Sequence, residues 1–312
     1  TACNMVAGRD SFMHDVMAGQ STDCPAEMVS AEHPLFVLYT SGSTGMPKGT
    51  LNHHRGPCNR VRALQLQFPL AAGDRVLQKT PLGFDVSVWE MFWPWSVGAA
   101  VVLAEPQGHK DPLYLARTVA RQRVTVLHFV PSMLQMFLRG ANLQGLDGLR
   151  YLMTSGEALS LELQRRCIEA FPGVRLINHY GPTETGIEAT WWSFDRIRPD
   201  GIVPIGRPIA NNRIHVLDAN GRTVPIGVAG ELHIGGVQVG AGYLNNPGLT
   251  AERFLTLSPE GVPERVYRTG DLARWLPDGE VEYLGRLDSQ VKLRGMRVEL
   301  GEIERKAREH PA

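Results

Sequence analysis

The stretch Leu35-Phe36-Val37-Leu38-Tyr39-Thr40-Ser41-Gly42-Ser43-Thr44-Gly45-Met46-Pro47-Lys48-Gly49 decides the reading of this chain of 312 residues. A short apolar run enters a Ser/Thr/Gly cluster, the pattern of a buried strand that delivers a loop. The glycines of that cluster let the backbone approach a polyphosphate closely. Hydroxyls and amides supply neutral donors there, and Lys48 supplies a cation. The GxxxxGK spacing of a Walker loop is absent.

Outward from the loop, similar apolar runs recur at 124–130, 149–154 and 174–178, with amphipathic segments at 112–121, 131–139 and 160–171. Strand and helix in alternation predict an α/β layer with largely parallel strands. Beyond Gly201 the texture changes to short alternating runs at 213–218, 230–235, 266–269, 280–284 and 291–294. Turns such as Asp218-Ala219-Asn220-Gly221 and Pro277-Asp278-Gly279 separate them, so a hairpin-rich region is expected beside the layer. Asn246-Pro247 reads as a helix start, and 299–310 as a final helix. Residues 1–34 have no strong period.

Lys+Arg and Asp+Glu are 32 each, so the chain lacks the charge excess that a nucleic-acid backbone or an anionic membrane face would demand. An apolar fraction of 43% with 21% charged residues suffices for a core. The longest clean apolar run, 97–104, is far short of the ~20 residues of a membrane span. Cys3, Cys24, Cys58 and Cys167 form no metal-spaced pair, and no leader pattern follows Thr1. These features predict a cytoplasmic protein with reduced thiols.

Taken whole, the loop resembles the signature loop of the adenylate-forming enzymes. Further stretches resemble, in order, the core motifs of nonribosomal peptide synthetase adenylation domains. They are Phe84-Asp85-Val86-Ser87-Val88-Trp89-Glu90-Met91-Phe92, Asn178-His179-Tyr180-Gly181-Pro182-Thr183-Glu184-Thr185, Gly230-Glu231-Leu232, Gly240-Ala241-Gly242-Tyr243, Tyr267-Arg268-Thr269-Gly270-Asp271 and Gly285-Arg286-Leu287-Asp288-Ser289-Gln290-Val291-Lys292. The resemblance implies an α/β fold, with a large adenylate-forming domain over 1–287 that is partial at its N-terminus. Layered sheets and a β-rich part at 201–287 are expected within it. Residues 288–312 would be the hinge, at Asp288, and the beginning of a small C-terminal domain. The implied reaction joins an amino acid to ATP, giving aminoacyl-AMP and pyrophosphate. Loading onto the phosphopantetheine thiol of a peptidyl carrier domain would follow, beside neighbouring synthetase domains.

The resemblance also assigns roles. Lys48, Thr183 and Glu184 would be catalytic, with Glu184 the Mg2+ ligand. Thr40, Ser41, Gly42, Ser43, Thr44 and Gly45 would line the phosphates. Gly156, Glu157 and Ala158 would form one wall of the adenine site, Tyr180 with Gly181 the other, and Asn178 would offer its amide to the base edge. Asp271 would accept the ribose hydroxyls and Arg286 would donate to the ribose. By their types alone, Glu184 also reads as a solvated loop acid and Arg286 as a surface ion-pair partner.

Asp85, flanked by Phe84, Val86, Val88 and Trp89, is costly to desolvate without a cation, and a substrate ammonium is a natural partner. The sequence equally allows it as the N-cap of a helix over 86–93. The resemblance places Val86, Trp89, His128, Met153, Ser155, His179, Ile187 and Glu188 around the substrate side chain. Trp89 and Met153 restrict volume, while His128, Ser155 and Glu188 bring hydrogen-bonding groups, a combination that favours a small hydroxylated side chain. Asp85, Val86, Trp89, His128, Ser155 and Ile187 resemble the serine-activating set. His179, where an apolar residue is usual, and Glu188, where aspartate is usual, keep α-substituted serine, threonine and 2,3-diaminopropionate open. His128 also reads as a core histidine.

Departures from the family pattern support two rival readings. Residues 1–34, with Gly8-Arg9-Asp10 and Cys24-Pro25-Ala26-Glu27, resemble the acetyl-CoA synthetase branch, which favours an acyl-CoA synthetase. The small domain's catalytic lysine has no counterpart here, which favours a catalytically deficient nucleotide-binding module. His53-His54, expected in a helix directly after the loop, is not a condensation motif, and His53 is expected at the substrate cavity.

Overall fold

The computed structural model describes residues 15, 17–23, 27–42, 46–259, 261–288, 290–293, 295–298, 303 and 307. The chain divides into two compact units, Thr1–Ser30 and Ala31–Ala312. In the first, Asp15 and Met17 are helical. Gly8-Arg9-Asp10, Cys24-Pro25-Ala26, Ser43, Thr44 and Gly45 lie outside the described residues, as does the 299–310 segment apart from Ile303 and Ala307. The remaining description concerns the second unit.

It opens with a hairpin. Strand β1 (Pro34–Thr40) pairs antiparallel with β2 (Lys48–His53), Thr40 facing Lys48, so the phosphate-type loop is a hairpin connection. Two expectations are corrected here. β1 is not a buried member of the parallel layer: it is only half-buried, and Tyr39 stands exposed. The loop runs first into strand β2, and helix α1 (Arg55–Gln67) follows. His53 therefore ends a strand and not a helix, 3.4 Å from Glu32.

The layer comprises β3 (Arg75–Gln78), α2 (Val86–Ser96), β4 (Ala100–Leu103), α3 (Pro112–Gln122), β5 (Val126–Phe129), α4 (Pro131–Gly140), β6 (Tyr151–Thr154), α5 (Leu161–Ala170), β7 (Arg175–Tyr180), β8 (Thr190–Ser193) and β9 (Arg207–Pro208). One sheet runs β4-β3-β5-β6-β7-β8-β9, parallel through β7 and antiparallel beyond. Local chemistry sets the helix starts. Asp111 accepts the amides of Leu113 and Tyr114 ahead of Pro112, and Ser160 accepts that of Leu163.

Side chains alternate across a strand, and the sheet is apolar on both faces. Leu127, Phe129, Leu152 and Leu176 join Leu115, Phe137 and Leu163 of α3, α4 and α5 in one core. Val126, Tyr151, Met153 and Ile177 face Leu64 of α1 and Trp89 and Trp93 of α2 in the other. The sheet is thus sandwiched between two helical layers.

The later region is hairpin-rich, as its turns foretell. Strands β10 (Asn212–Leu217), β11 (Gly230–Gly236), β13 (Phe254–Leu257), β14 (Glu264–Trp275) and β15 (Val281–Arg286) form an antiparallel sheet. Between them β12 (Gly242–Tyr243) pairs with β2, and α6 (Pro247–Arg253) starts at Asn246, which accepts the Leu249 amide. Strands β16 (Val291–Leu293) and β17 (Met296–Val298) make a separate hairpin. Cys58 and Cys167 are free thiols. Among the described residues no helix is long and apolar enough to cross a membrane.

Candidate active site

The parallel strands β5, β6 and β7 end on the same side of the sheet, the usual place for ligands in α/β folds. Successive residues there point to opposite helical layers, so each strand end contributes to more than one compartment.

One compartment is a cavity of about 620 Å3. Gly156, Glu157, Ala158, Asn178, Tyr180, Gly181 and Arg286 all line it, joined by His179, Tyr283, Gln290 and Lys292. Tyr180 is buried, its ring 6.2 Å from that of Tyr283, with the Lys292 ammonium 5.9 Å from its centroid. Its hydroxyl donates to Asp271, whose other oxygen accepts from Arg286 Nη1 at 2.8 Å. Burial and the Asp271 carboxylate push the Tyr180 phenol well above its ordinary range. Each Asp271 oxygen keeps a second lone pair, the requirement for accepting two hydroxyls. Arg286, its side chain only 12% exposed, is no surface ion-pair partner, and it also bonds Asp288 at 2.8 Å.

Two cavity residues are held differently from expectation. The Asn178 amide accepts from Thr154 Oγ1 at 3.0 Å and donates to the Pro204 carbonyl at 3.2 Å, so it is fixed by the scaffold. The Glu157 carboxylate accepts the Ser132 amide at 2.8 Å, at the start of α4, and the Gly295 amide at 2.7 Å, which ties the β16–β17 hairpin to this wall.

Beside the β1–β2 hairpin, Glu184 sits in a 3₁₀ turn, Thr183–Thr185, and is fully buried rather than a solvated acid. Lys48 Nζ lies 3.1 Å from Glu184 Oε1 and donates to Tyr243 Oη at 3.0 Å, while Tyr243 donates to the same Glu184 oxygen at 2.8 Å. Lys48 and Glu184 are thus brought together. Asn52 fixes the turn by donating to the Thr183 carbonyl at 3.0 Å. Thr40 Oγ1 is buried without a hydrogen-bond partner among the described residues.

The third compartment lies against α1 and α2. Asp85 precedes α2 with helical backbone angles and no side-chain cap bond, so the N-cap reading is corrected. Desolvation lifts its carboxyl pKa to about 6; the Thr183 hydroxyl opposes the rise, and the charges of Glu188 and Glu184 add to it. Val86, Trp89, Met153 and Ile187 are packed in one cluster. His128 Nε2 and Ser155 Oγ lie 2.9 Å apart, both residues buried, under an edge-to-face contact of the Trp89 and His128 rings at 5.6 Å. Burial lowers the pKa of both His128 and His179 well below the histidine range, leaving neutral rings. Neither His179 nitrogen has a hydrogen-bond partner among the described residues.

Glu188 was expected to meet substrate. Its two oxygens accept from Arg60 Nε at 2.7 Å and from Trp89 Nε1 at 3.2 Å. Ile187 has φ +87°, a left-handed conformation that costs a β-branched residue of order 1–3 kcal/mol. Gly181 allows the tight approach beneath it, since a Cβ there would stand 2.6 Å from the Ile187 carbonyl oxygen.

Arg60, Gln238 and Tyr243 are the residues that sequence reasoning missed. Gln238 Nε2 reaches the carbonyls of Thr185, Gly186 and Glu188 and anchors the loop. Tyr243 lay within a recognisable motif. Arg60 carried a fainter signal, a charge in the middle of the buried α1 stripe Gly56, Pro57, Arg60, Ala63, Leu64.

The AMP-binding enzyme family matches residues 5–244, so the chain belongs to that family. Within it the chain is of the nonribosomal peptide synthetase adenylation type. It is 56% identical over 270 residues to phosphinothricin tripeptide synthetase PhsB of Streptomyces viridochromogenes, covering 86% of this chain and 22% of that protein. It thus spans about a fifth of that relative's length. Its fold resembles that of NpsA-ThdA, an artificially fused adenylation-PCP di-domain from Klebsiella oxytoca, with TM-score 0.84, 29% identity and coverage of 94% and 58%. A crystal structure of the synthetase FmoA3 bound to α-methyl-L-serine-AMP matches with TM-score 0.77 at 36% identity, covering 83% and 29%.

Proposed function

We propose that this chain activates serine or a serine-like amino acid with ATP. The carrying observation is the buried His128–Ser155 pair beneath Trp89, in the compartment that Asp85 borders. Neutral His128 and the Ser155 hydroxyl can each donate or accept, which suits a substrate hydroxyl. Asp85 supplies the carboxylate that an α-ammonium requires and that a plain acyl acid would leave unpaired. The similarity to FmoA3, whose structure holds an α-methyl-serine adenylate, supports the same class and keeps α-substituted serine within it.

In the reaction a substrate carboxylate oxygen bonds to the α-phosphorus of ATP as the bond from that phosphorus to the bridging oxygen breaks, releasing pyrophosphate. The reactants are both anions, so positioning and charge neutralisation carry the catalysis. The 620 Å3 cavity would hold adenosine, with Tyr180 against the base and Arg286 on the ribose, and with Asp271 bonded to both of these lining residues. Lys48, at the start of β2 where the hairpin loop ends, would meet the phosphates. Among the described residues no cluster of three metal-ligating acids, histidines or cysteines exists. A single carboxylate, Glu184, fits a Mg2+ ion held mainly by ATP phosphates, where it would offset phosphate charge. Transfer of the aminoacyl group to a phosphopantetheine thiol on a carrier domain would follow, with Asp288 as the hinge that begins the small domain.

Calorimetric titration with non-hydrolysable seryl-, alanyl- and acetyl-adenylate analogues tests this. The seryl analogue is expected to bind most tightly. Tightest binding of the acetyl analogue would establish the acyl-CoA synthetase reading instead.

A further inference from the structure

Arg60 is a full charge in the core. It rises from the middle of α1 with no solvent exposure, and among the described residues its hydrogen-bond partner is Glu188, itself 2% exposed. Nη1 and Nη2 find no hydrogen-bond partner among the described residues. A buried guanidinium held through one nitrogen is an expensive arrangement, since an ion pair of this kind is often no more stable than apolar residues of the same volume. Stability therefore gives no account of it, and its neighbours do. Glu188 Oε2 accepts from Arg60 at 2.7 Å while Glu188 Oε1 accepts from the Trp89 indole at 3.2 Å. Trp89 stands edge-on to His128 at 5.6 Å, and His128 meets Ser155 at 2.9 Å.

We infer that Arg60 is a specificity-positioning residue: through Glu188 it fixes the Trp89 indole, and through Trp89 it holds the His128–Ser155 pair in the orientation that reads the substrate side chain. The inference rests on the serine-type reading of this compartment. It also gives glutamate at position 188 a purpose, because one carboxylate must span from the α1 guanidinium to the α2 indole. Arg60 touches no reacting atom in this scheme; its influence is on selectivity.

Three variants of the full chain test it. Arg60→Met alone strands the Glu188 charge and is expected to fold poorly. The double variant Arg60→Met/Glu188→Leu removes both charges and is expected to melt at or above the parent's temperature. Arg60→Lys keeps the charge. The first readout is the Trp89 indole N–H resonance in the ligand-free chain, assigned with Trp89→Phe. It should shift in the double variant. The second is the ratio of affinities for the seryl- and alanyl-sulfamoyl adenosine analogues, expected to fall by about tenfold or more in the double variant and to be largely restored in Arg60→Lys.

A folded double variant that keeps the parent's ratio, or an unmoved indole resonance, overturns the inference. If the wild-type chain itself binds both analogues equally, the serine reading falls and the inference falls with it. A discriminating wild type beside an equally discriminating double variant sinks the inference alone.

Discussion

Acidification should weaken amino-acyl ligand binding through Asp85. The carboxyl of the free chain titrates at about 6, because its surroundings desolvate it and two further carboxylates, Glu188 and Glu184, lie near. A substrate ammonium needs the ionised form. With that pKa, roughly 90% of the chain carries the charge at pH 7 and roughly 10% at pH 5. Affinity for the seryl-adenylate analogue is therefore expected to fall about tenfold between these values, or about 1.4 kcal/mol. The ligand's own α-ammonium stays protonated over this range. At pH 6 binding should expel about half a proton, read by calorimetry in two buffers of different ionisation enthalpy. His128 and His179 do not compete, since burial keeps both neutral there. The same shift acts on the fold with the opposite sign. The folded chain holds this proton more tightly than the unfolded chain, so this group's cost to stability, present above pH 6, is relieved as pH falls towards 4. Asp85→Asn should remove the proton release and the slope together. Binding whose pH dependence is the same in wild type and Asp85→Asn would refute the assignment of Asp85 to the ammonium.

Asp271→Asn should cut adenosine-nucleotide affinity about tenfold and abolish the preference for ATP over its 2′,3′-dideoxy form, measured by competition titration. Tyr243→Phe removes the hydroxyl that bonds both members of the buried Lys48–Glu184 pair, and should lower unfolding free energy by about 1.5–3 kcal/mol in a urea titration. Phe137→Ala empties a fully buried site against the Phe129 ring, 4.9 Å away, and should cost about 3–5 kcal/mol by thermal unfolding without changing the seryl-to-alanyl binding ratio.

The strands and helices of the layer were legible because their signals are local. The continuous apolar run at 174–178 and an Asp-Pro or Ser start each act within one element, and β7, α3 and α5 fall where these signals point. β1 was misplaced for an equally physical reason. An apolar run states that a strand is covered, not which sheet covers it, and β1 finds its partner across the loop in β2, with β12 arriving from almost two hundred residues away. Pairing at that separation is set by tertiary packing, and no window of sequence contains it.

Charged side chains in the site show the same division more sharply. Motif order put Lys48, Glu184, Asp271 and Arg286 in one region, and the structure joins them in two buried pairs. The partner of each charge was not written beside it. Glu188 illustrates why: a glutamate in a substrate-lining position invites the reading that it meets substrate, yet its neighbours in space are an arginine on α1 and an indole on α2. A buried carboxylate binds whichever donor can follow it out of water, and here α1 supplies Arg60 from 128 residues upstream. In the proposed serine reading, the neutral pair that a small hydroxyl would meet is His128 and Ser155. The inferred role of Arg60 is thus that of a residue remote from every recognised motif that orients this pocket through its neighbours.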